Sequence, residues 1–207
     1  MMKPLPRSAD RPNSAERSPM SQALDAGVQV FLNENREKWH DWNVPYEDGK
    51  VLHDLIMKGG YRRALEIGTS TGHSTLWMAW ALSKTEGKLT TIEIDESRYV
   101  TALRNLKRAG LERWVDARLA DAHQLVKELR GPFDFVFSDA DKEWYTQYFK
   151  DVDPKLAVGG CFTAHNVTDP FPGIEDYLNY VESLPNYRTT LNRTSRSGIS
   201  ISCKISG

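Results

Sequence analysis

At 207 residues with a formal net charge of -1, the chain is long enough for one sizeable α/β domain and too short for a second full one. The balanced charge excludes the basic excess of a nucleic-acid binder, and no apolar run reaches the length of a membrane span, so the expected partner is a small molecule. Cys161 and Cys203 sit in apolar, strand-like runs and read as buried thiols, which points to a reducing, cytoplasmic compartment.

Residues 1–20 hold Pro4, Pro6, Pro12 and Pro19 among charged side chains with no apolar leader, and read as a flexible tail; residues 21–207 then form one domain. The first helix is expected over residues 21–39, where Leu24, Val28, Phe31 and Leu32 share one face; it reads as a packing helix or a lid. A Pro- and Gly-punctuated loop follows over residues 42–50. Trp39 and Trp42 either cover a site from it or seal the helix onto the core. A second helix runs through Val51, Leu52, Leu55 and Ile56.

Ala64, Leu65 and Ile67 make a short buried strand that enters the turn Gly68, Thr69, Ser70, Thr71, Gly72, and apolar residues recur at helical spacing from Ser74 onward. The free N–H groups of that helix point back at the loop, which reads as a cofactor cradle. A dinucleotide would want G-x-G-x-x-G, whereas three residues separate Gly68 from Gly72. Glu66, two residues before the first Gly, is expected to face the ligand. There it would repel a pyrophosphate and attract the ammonium and sulfonium of S-adenosylmethionine. The rival reading, an NAD-dependent dehydrogenase, is disfavoured on both counts. A second strand over residues 90–95 ends in Glu93, an acid placed to bind a ribose diol.

Residues 97–109 form a helix stopped by Gly110, and residues 114–119 alternate as a third strand. Asp121, followed by Ala122, reads either as an acceptor for an adenine amino group or as the N-cap of the next helix, and the two roles are compatible. A fourth strand, residues 133–137, delivers Asp139, Asp141 and Lys142 to its carboxyl end, where ligands of open α/β sheets bind. A fifth strand, residues 159–164, delivers His165 and Asn166. A helix over residues 174–184 and two strands, residues 187–191 and 198–204, close the sheet as an antiparallel pair.

With Glu66, Gly68, Gly72, Glu93, Asp139, Lys142 and Asn166 on one chain, the sequence resembles the cation-dependent class I methyltransferases of the catechol and caffeoyl-CoA O-methyltransferase type from about Trp39 to Lys204. The resemblance implies a Rossmann-like, doubly wound α/β fold: seven strands in the order 3-2-1-4-5-7-6, with helices on both faces, dimeric in many bacterial and plant members. It implies that Asn43 and Val44 cover the cofactor, that Gly68, Thr69, Ser70 and Gly72 cradle it, and that Ser74 holds its methionine carboxylate, with His73 in place of a usual Tyr. It gives Asp139 as a metal ligand and Lys142 as general base.

One departure stands out. His165 occupies the place of a metal-binding Asp beside Asn166, and an imidazole suits Mn²⁺, Fe²⁺ or Zn²⁺ better than Mg²⁺. The expected reaction is therefore S-adenosylmethionine-dependent O-methylation of a small phenol- or catechol-like acceptor. The candidate metal set is Asp139, His165 and Asn166, and His165 is an alternative general base. The same departure leaves open a cofactor-binding scaffold whose catalysis has decayed.

Overall fold

The computed structural model describes residues 18–207, so all but the last few positions of the expected N-terminal tail lie outside the described residues. Seven strands run in chain order: β1 (Arg63–Ile67), β2 (Lys88–Glu93), β3 (Val115–Leu119), β4 (Phe133–Ser138), β5 (Leu156–His165), β6 (Tyr187–Asn192) and β7 (Ile199–Lys204). They form one sheet ordered β3-β2-β1-β4-β5-β7-β6, parallel through β5 and antiparallel at β5-β7 and β7-β6. Strand order reverses between β1 and β4, and the crevice there is the switch point where open α/β sheets take ligands.

The helices are α1 (Pro19–Glu34), α2 (Tyr46–Gly59), α3 (His73–Thr85), α4 (Glu96–Arg108), α5 (Ala122–Glu128), α6 (Tyr145–Val152) and α7 (Ile174–Glu182). Alternation along the strands divides the core. Ala64, Phe135 and Phe137 pack with Leu52 and Ile56 of α2 and Met78 and Leu82 of α3, while Leu65, Ile67, Val136 and Phe162 pack on the opposite face with α6 and α7. α1 lays Val28, Phe31 and Leu32 against Leu76, Trp77 and Trp80 of α3, which makes it a packing helix rather than a lid. It stops at Glu34 because the Asn35 side-chain amide donates to the Phe31 carbonyl at 2.7 Å, and a short 3-10 turn replaces the expected last helical turn.

The expectation of two buried thiols is corrected. Antiparallel pairing sets Cys161 of β5 opposite Cys203 of β7 with Cα atoms 4.0 Å apart, and the two form a disulfide. The argument from free thiols to a reducing compartment therefore lapses. Among the described residues no helix is long and apolar enough to cross a membrane.

Candidate active site

A cavity of about 510 Å³ opens over the carboxyl ends of β1, β2 and β4, lined among others by Gly68, Ser70, Glu93, Asp121, Asp139 and Lys142. Gly68 has φ +97, and a Cβ there would stand 2.7 Å from the Asp139 carbonyl oxygen, so the loop can cross β4 this closely only with glycine. Ser70 at φ 49 then turns its N–H onto Glu93 Oε2 at 2.7 Å. The N–H groups of Ile94 and Asp95 reach Glu93 Oε1 at 3.0 and 2.9 Å. Three backbone donors thus hold the Glu93 carboxylate at the cavity wall, fixed before any ligand arrives.

Glu66 departs from expectation. It is fully buried beneath the loop and absent from the cavity wall, because its position in β1 turns it toward α3. Its carboxyl accepts from Ser74 Oγ at 2.5 Å and from Thr75 Oγ1 and Thr91 Oγ1 at 2.6 Å each, so it ties β1, β2 and the first turn of α3 together. Burial raises its pKa to about 7 against the pull of the three hydroxyls, and Asp139 adds to the rise. Ser74 spends its hydroxyl on this contact, and Thr69 is buried with its hydroxyl 2.5 Å from that of Thr91. Glu66, Thr69 and Ser74 therefore build the cradle from below instead of lining it. Gly72, also at φ +97, lies against Ala102 of α4 and serves as the N-cap position of α3.

The segment before α2 folds over this loop. Asn43 accepts from the His73 N–H at 3.2 Å and donates to Thr71 Oγ1 at 2.7 Å, and the Val44 carbonyl lies 2.8 Å from His73 Nδ1. Burial drives the His73 pKa down to about 4, so the ring is neutral: Nδ1–H donates to Val44 and Nε2 accepts from Trp77 Nε1 at 3.1 Å. The two tryptophans divide the roles the sequence left open. Trp39 stacks on His73 with centroids 4.5 Å apart and seals the core, whereas Trp42 is 79% exposed and lines the cavity. Asp41 and Trp42 both hold positive φ, 67 and 64, a conformation that costs of order 1–3 kcal/mol each and needs external support. Arg98 of α4 provides it through an ion pair to Asp41 at 2.9 Å, and Ser70 Oγ donates to the Asp41 carbonyl.

At the end of β3, Asp121 takes the capping role anticipated for it, its Oδ1 accepting from the His123 N–H at 2.8 Å at the start of α5, and with Ala122 it also lines the cavity. His123 Nε2 lies 2.6 Å from Asp141 Oδ2, and its ring stacks on Trp144 at 3.7 Å.

Beyond β4, Lys142 Nζ donates to Asp139 Oδ1 at 2.7 Å. Asp139 Oδ2 lies 3.3 Å from His165 Nδ1, off the line of a hydrogen bond, and His165 Nε2 donates to Asp48 Oδ2 at 2.7 Å. The Asp48, Asp139, His165 and Lys142 side chains are all largely buried. Burial opposes the charged forms of both Asp139 and His165. The neighbouring charges outweigh it, holding Asp139 below the usual carboxylate range and His165 up to about 9.

This donor set does not fit a hard divalent cation. One oxygen of Asp139 carries Lys142 and the other faces His165, both imidazole nitrogens face carboxylates, and the Asn166 amide donates to Asp169 at 2.9 Å. A cation entering here would meet two cationic side chains. Of the expected metal set, Asp139 and His165 are brought face to face within an ion-pair chain that runs from Lys142 to Asp48, while Asn166 is bonded to Asp169.

Sequence reasoning missed Asp48, Arg98 and Tyr148, the last two of which line the cavity. For Asp48 a signal existed: it shares a helical stripe with Leu52 and Ile56, and an acid on a buried face requires a partner.

A family described as O-methyltransferase matches residues 16–169. A catechol O-methyltransferase of Niastella koreensis is 44% identical over 129 residues, 60% of this chain and 58% of that protein. A caffeoyl-CoA O-methyltransferase of Medicago sativa is 29% identical over 157 residues, 68% of this chain and 63% of that one. The chain thus spans about three fifths of the length of the curated relatives it matches. Among solved structures, the O-methyltransferase of Bacillus cereus in complex with SAH superposes with TM-score 0.73 at 28% identity, covering 88% of this chain and 90% of that one. TomG of Streptomyces achromogenes, solved with SAM, superposes with TM-score 0.73 at 28% identity, covering 89% and 90%. The chain belongs to the O-methyltransferase family.

Proposed function

We propose that this chain transfers a methyl group from S-adenosylmethionine to the oxygen of a small catechol- or phenol-like acceptor. The observation that carries the reading is the placement of Glu93, fixed by three backbone N–H groups, in the same cavity as the Asp139–Lys142 pair. Glu93 is the ribose acceptor, its remaining lone pairs open to a diol. Asp121 and Ala122 take the adenine edge. Gly68 and Ser70 let the backbone approach the ligand, and the segment with Asn43 and Val44 closes over it. The solved relatives carrying SAH or SAM support this choice of cofactor.

When bound, S-adenosylmethionine supplies an electrophilic methyl on a sulfonium. The protein's task is to align the acceptor oxygen and strip its proton. A phenol with a pKa of about 10 costs about 4 kcal/mol to ionise at pH 7. The phenol proton passes to bulk solvent through the open cavity, Lys142 at the cavity wall stabilises the phenolate as it forms, and the methyl moves to that oxygen with S-adenosylhomocysteine as leaving group; the buried chain of Asp139, His165 and Asp48 anchors Lys142 in place. Trp42 and Phe171, exposed aromatic residues of the same wall, suit a planar ring.

Calorimetry with S-adenosylhomocysteine and with NAD, followed by turnover on catechol, phenylpropanoid and amine acceptors, tests the reading. Binding of the first ligand with methylation of a hydroxylated acceptor is expected. Binding of NAD alone would overturn it.

A further inference from the structure

A second cavity, of about 250 Å³, lies between the end of α1, the covering segment and α4. It shares a wall with the large cavity: Asp41 and Thr71 line the small one, and their chain neighbours Trp42 and Ser70 line the large one. Three residues of that wall hold positive φ, Asp41 at 67, Trp42 at 64 and Ser70 at 49. Non-glycine residues keep such a conformation only where their surroundings hold them, and they gather at ligand clamps. One such hold is visible on the side of the large cavity, where Arg98 pairs with Asp41 at 2.9 Å.

Around the small cavity the polar groups are only partly satisfied. Asn35 donates its side-chain amide to the Phe31 carbonyl at 2.7 Å and Asn105 donates its own to the Thr71 carbonyl at 2.9 Å, while neither amide oxygen accepts from a donor among the described residues. Lys38 is exposed and has no ion pair among the described residues. The Trp39 indole N–H is buried without a hydrogen-bond partner, although buried donors are nearly always paired. Because Arg98 neutralises Asp41, the uncompensated charge of this cavity is the Lys38 ammonium. A fitting ligand brings an anion for Lys38 and the indole, and a donor for the two amide oxygens. The volume lies below the roughly 300–1,000 Å³ of sites for drug-sized ligands, so that ligand is small.

We propose that this cavity is a second ligand site, which takes a small carboxylate that also carries a hydrogen-bond donor, an amino or hydroxy acid, and that the bound acid braces the wall of the cofactor cavity. Its carboxylate meets Lys38 and the Trp39 indole N–H, and its amino or hydroxyl group meets the amide oxygens of Asn35 and Asn105. The site stands on its own geometry. The bracing rests on the methyltransferase reading above, because it acts on cofactor release. An occupant held against Asp41 and Thr71 favours the closed covering segment over an open one, and by that difference in affinity it slows departure of the cofactor.

Two measurements test this. In the first, the assigned indole N–H resonance of Trp39 is followed in the intact chain during titration with L-serine, L-lactate and propionate. L-Serine and L-lactate separate the amino acid from the hydroxy acid, and propionate keeps the carboxylate without a second donor. A saturable shift with L-serine or L-lactate is expected, with binding at least about tenfold weaker for propionate and at least about tenfold weaker in Lys38→Glu, a change at an exposed position. No shift with any of the three, or equal binding by Lys38→Glu, would overturn the site, and propionate binding as tightly as the other two would overturn the ligand class. In the second, release of S-adenosylhomocysteine is timed by stopped flow with the tighter acid at saturation and without it. Release slowed by at least about threefold is expected, with no slowing in Lys38→Glu at the same acid concentration. An unchanged rate with the site saturated would overturn the bracing. Failure of S-adenosylhomocysteine to bind at all would count against the methyltransferase reading instead, and the indole titration would still decide the second site.

Discussion

Glu66 Oε2 accepts from the Thr91 hydroxyl at 2.6 Å, and the two residues are register partners in the β1-β2 pairing. The acid closest to the glycine loop is therefore spent across the strand pair, where it stiffens the cradle from beneath.

Glu66 titrates against folding in a defined direction. Its folded pKa, about 7, lies above the ordinary value of 4.5, so the folded state binds more protons between these limits. The contribution is fully present below pH 4.5 and is lost as pH rises through about 7, on the order of 3 kcal/mol in all. Glu66→Gln abolishes this dependence. The difference in unfolding free energy between parent and variant, from urea titrations at several pH values, should change steadily across that window and be flat above it. A pH-independent difference would place the titration elsewhere.

Glu93→Ala removes the acceptor for the Ser70, Ile94 and Asp95 N–H groups and, on the proposed reading, a charge-assisted contact to the ribose. Affinity for S-adenosylhomocysteine should fall by about 1.5 to 3 kcal/mol, more than about tenfold. Calorimetry reads this directly, and an unchanged dissociation constant would remove Glu93 from the ribose site.

Lys142→Met keeps much of the side-chain bulk and removes the ammonium paired with Asp139. The expected loss in kcat is about 10²- to 10³-fold, with cofactor affinity within a few-fold of the parent. Comparable losses in binding and rate would make Lys142 a cofactor ligand rather than a catalytic residue.

Arg98→Gln breaks the ion pair to Asp41 that supports the two left-handed residues of the covering segment. The pair is partly exposed, so global stability should fall by less than about 1 kcal/mol. Release of S-adenosylhomocysteine, followed by tryptophan fluorescence in stopped flow, should quicken several-fold because Trp42 moves with Asp41. An unchanged release rate would mean that the segment is held by Asn43 and His73 alone.

The sheet was legible because its apolar runs are short and punctuated: Gly68 and the acids after β2 and β4 mark where strands end, and Gly110 marks where a helix stops before β3. Asp139, Lys142 and Glu93 were legible for the same reason, since residues just past a parallel strand reach the switch-point crevice whatever their side chains do. Side-chain direction was not. Glu66 sits one residue from Ile67, yet β alternation sends the two to opposite faces, and which face held the ligand could not be read from spacing. Asp48 and the cysteine pair were hidden because each depends on a partner distant in sequence: His165 for the one, and the β5-β7 register for the other.

The central claim, methyl transfer at this cavity, is tested most directly with S-adenosylmethionine labelled in its methyl group. Product mass and fragmentation are read after incubation with catechol-like acceptors. The account predicts label on an acceptor oxygen, lost together with activity in Lys142→Met while the variant still binds S-adenosylhomocysteine. Saturating cofactor binding with no label on any hydroxylated acceptor would contradict it.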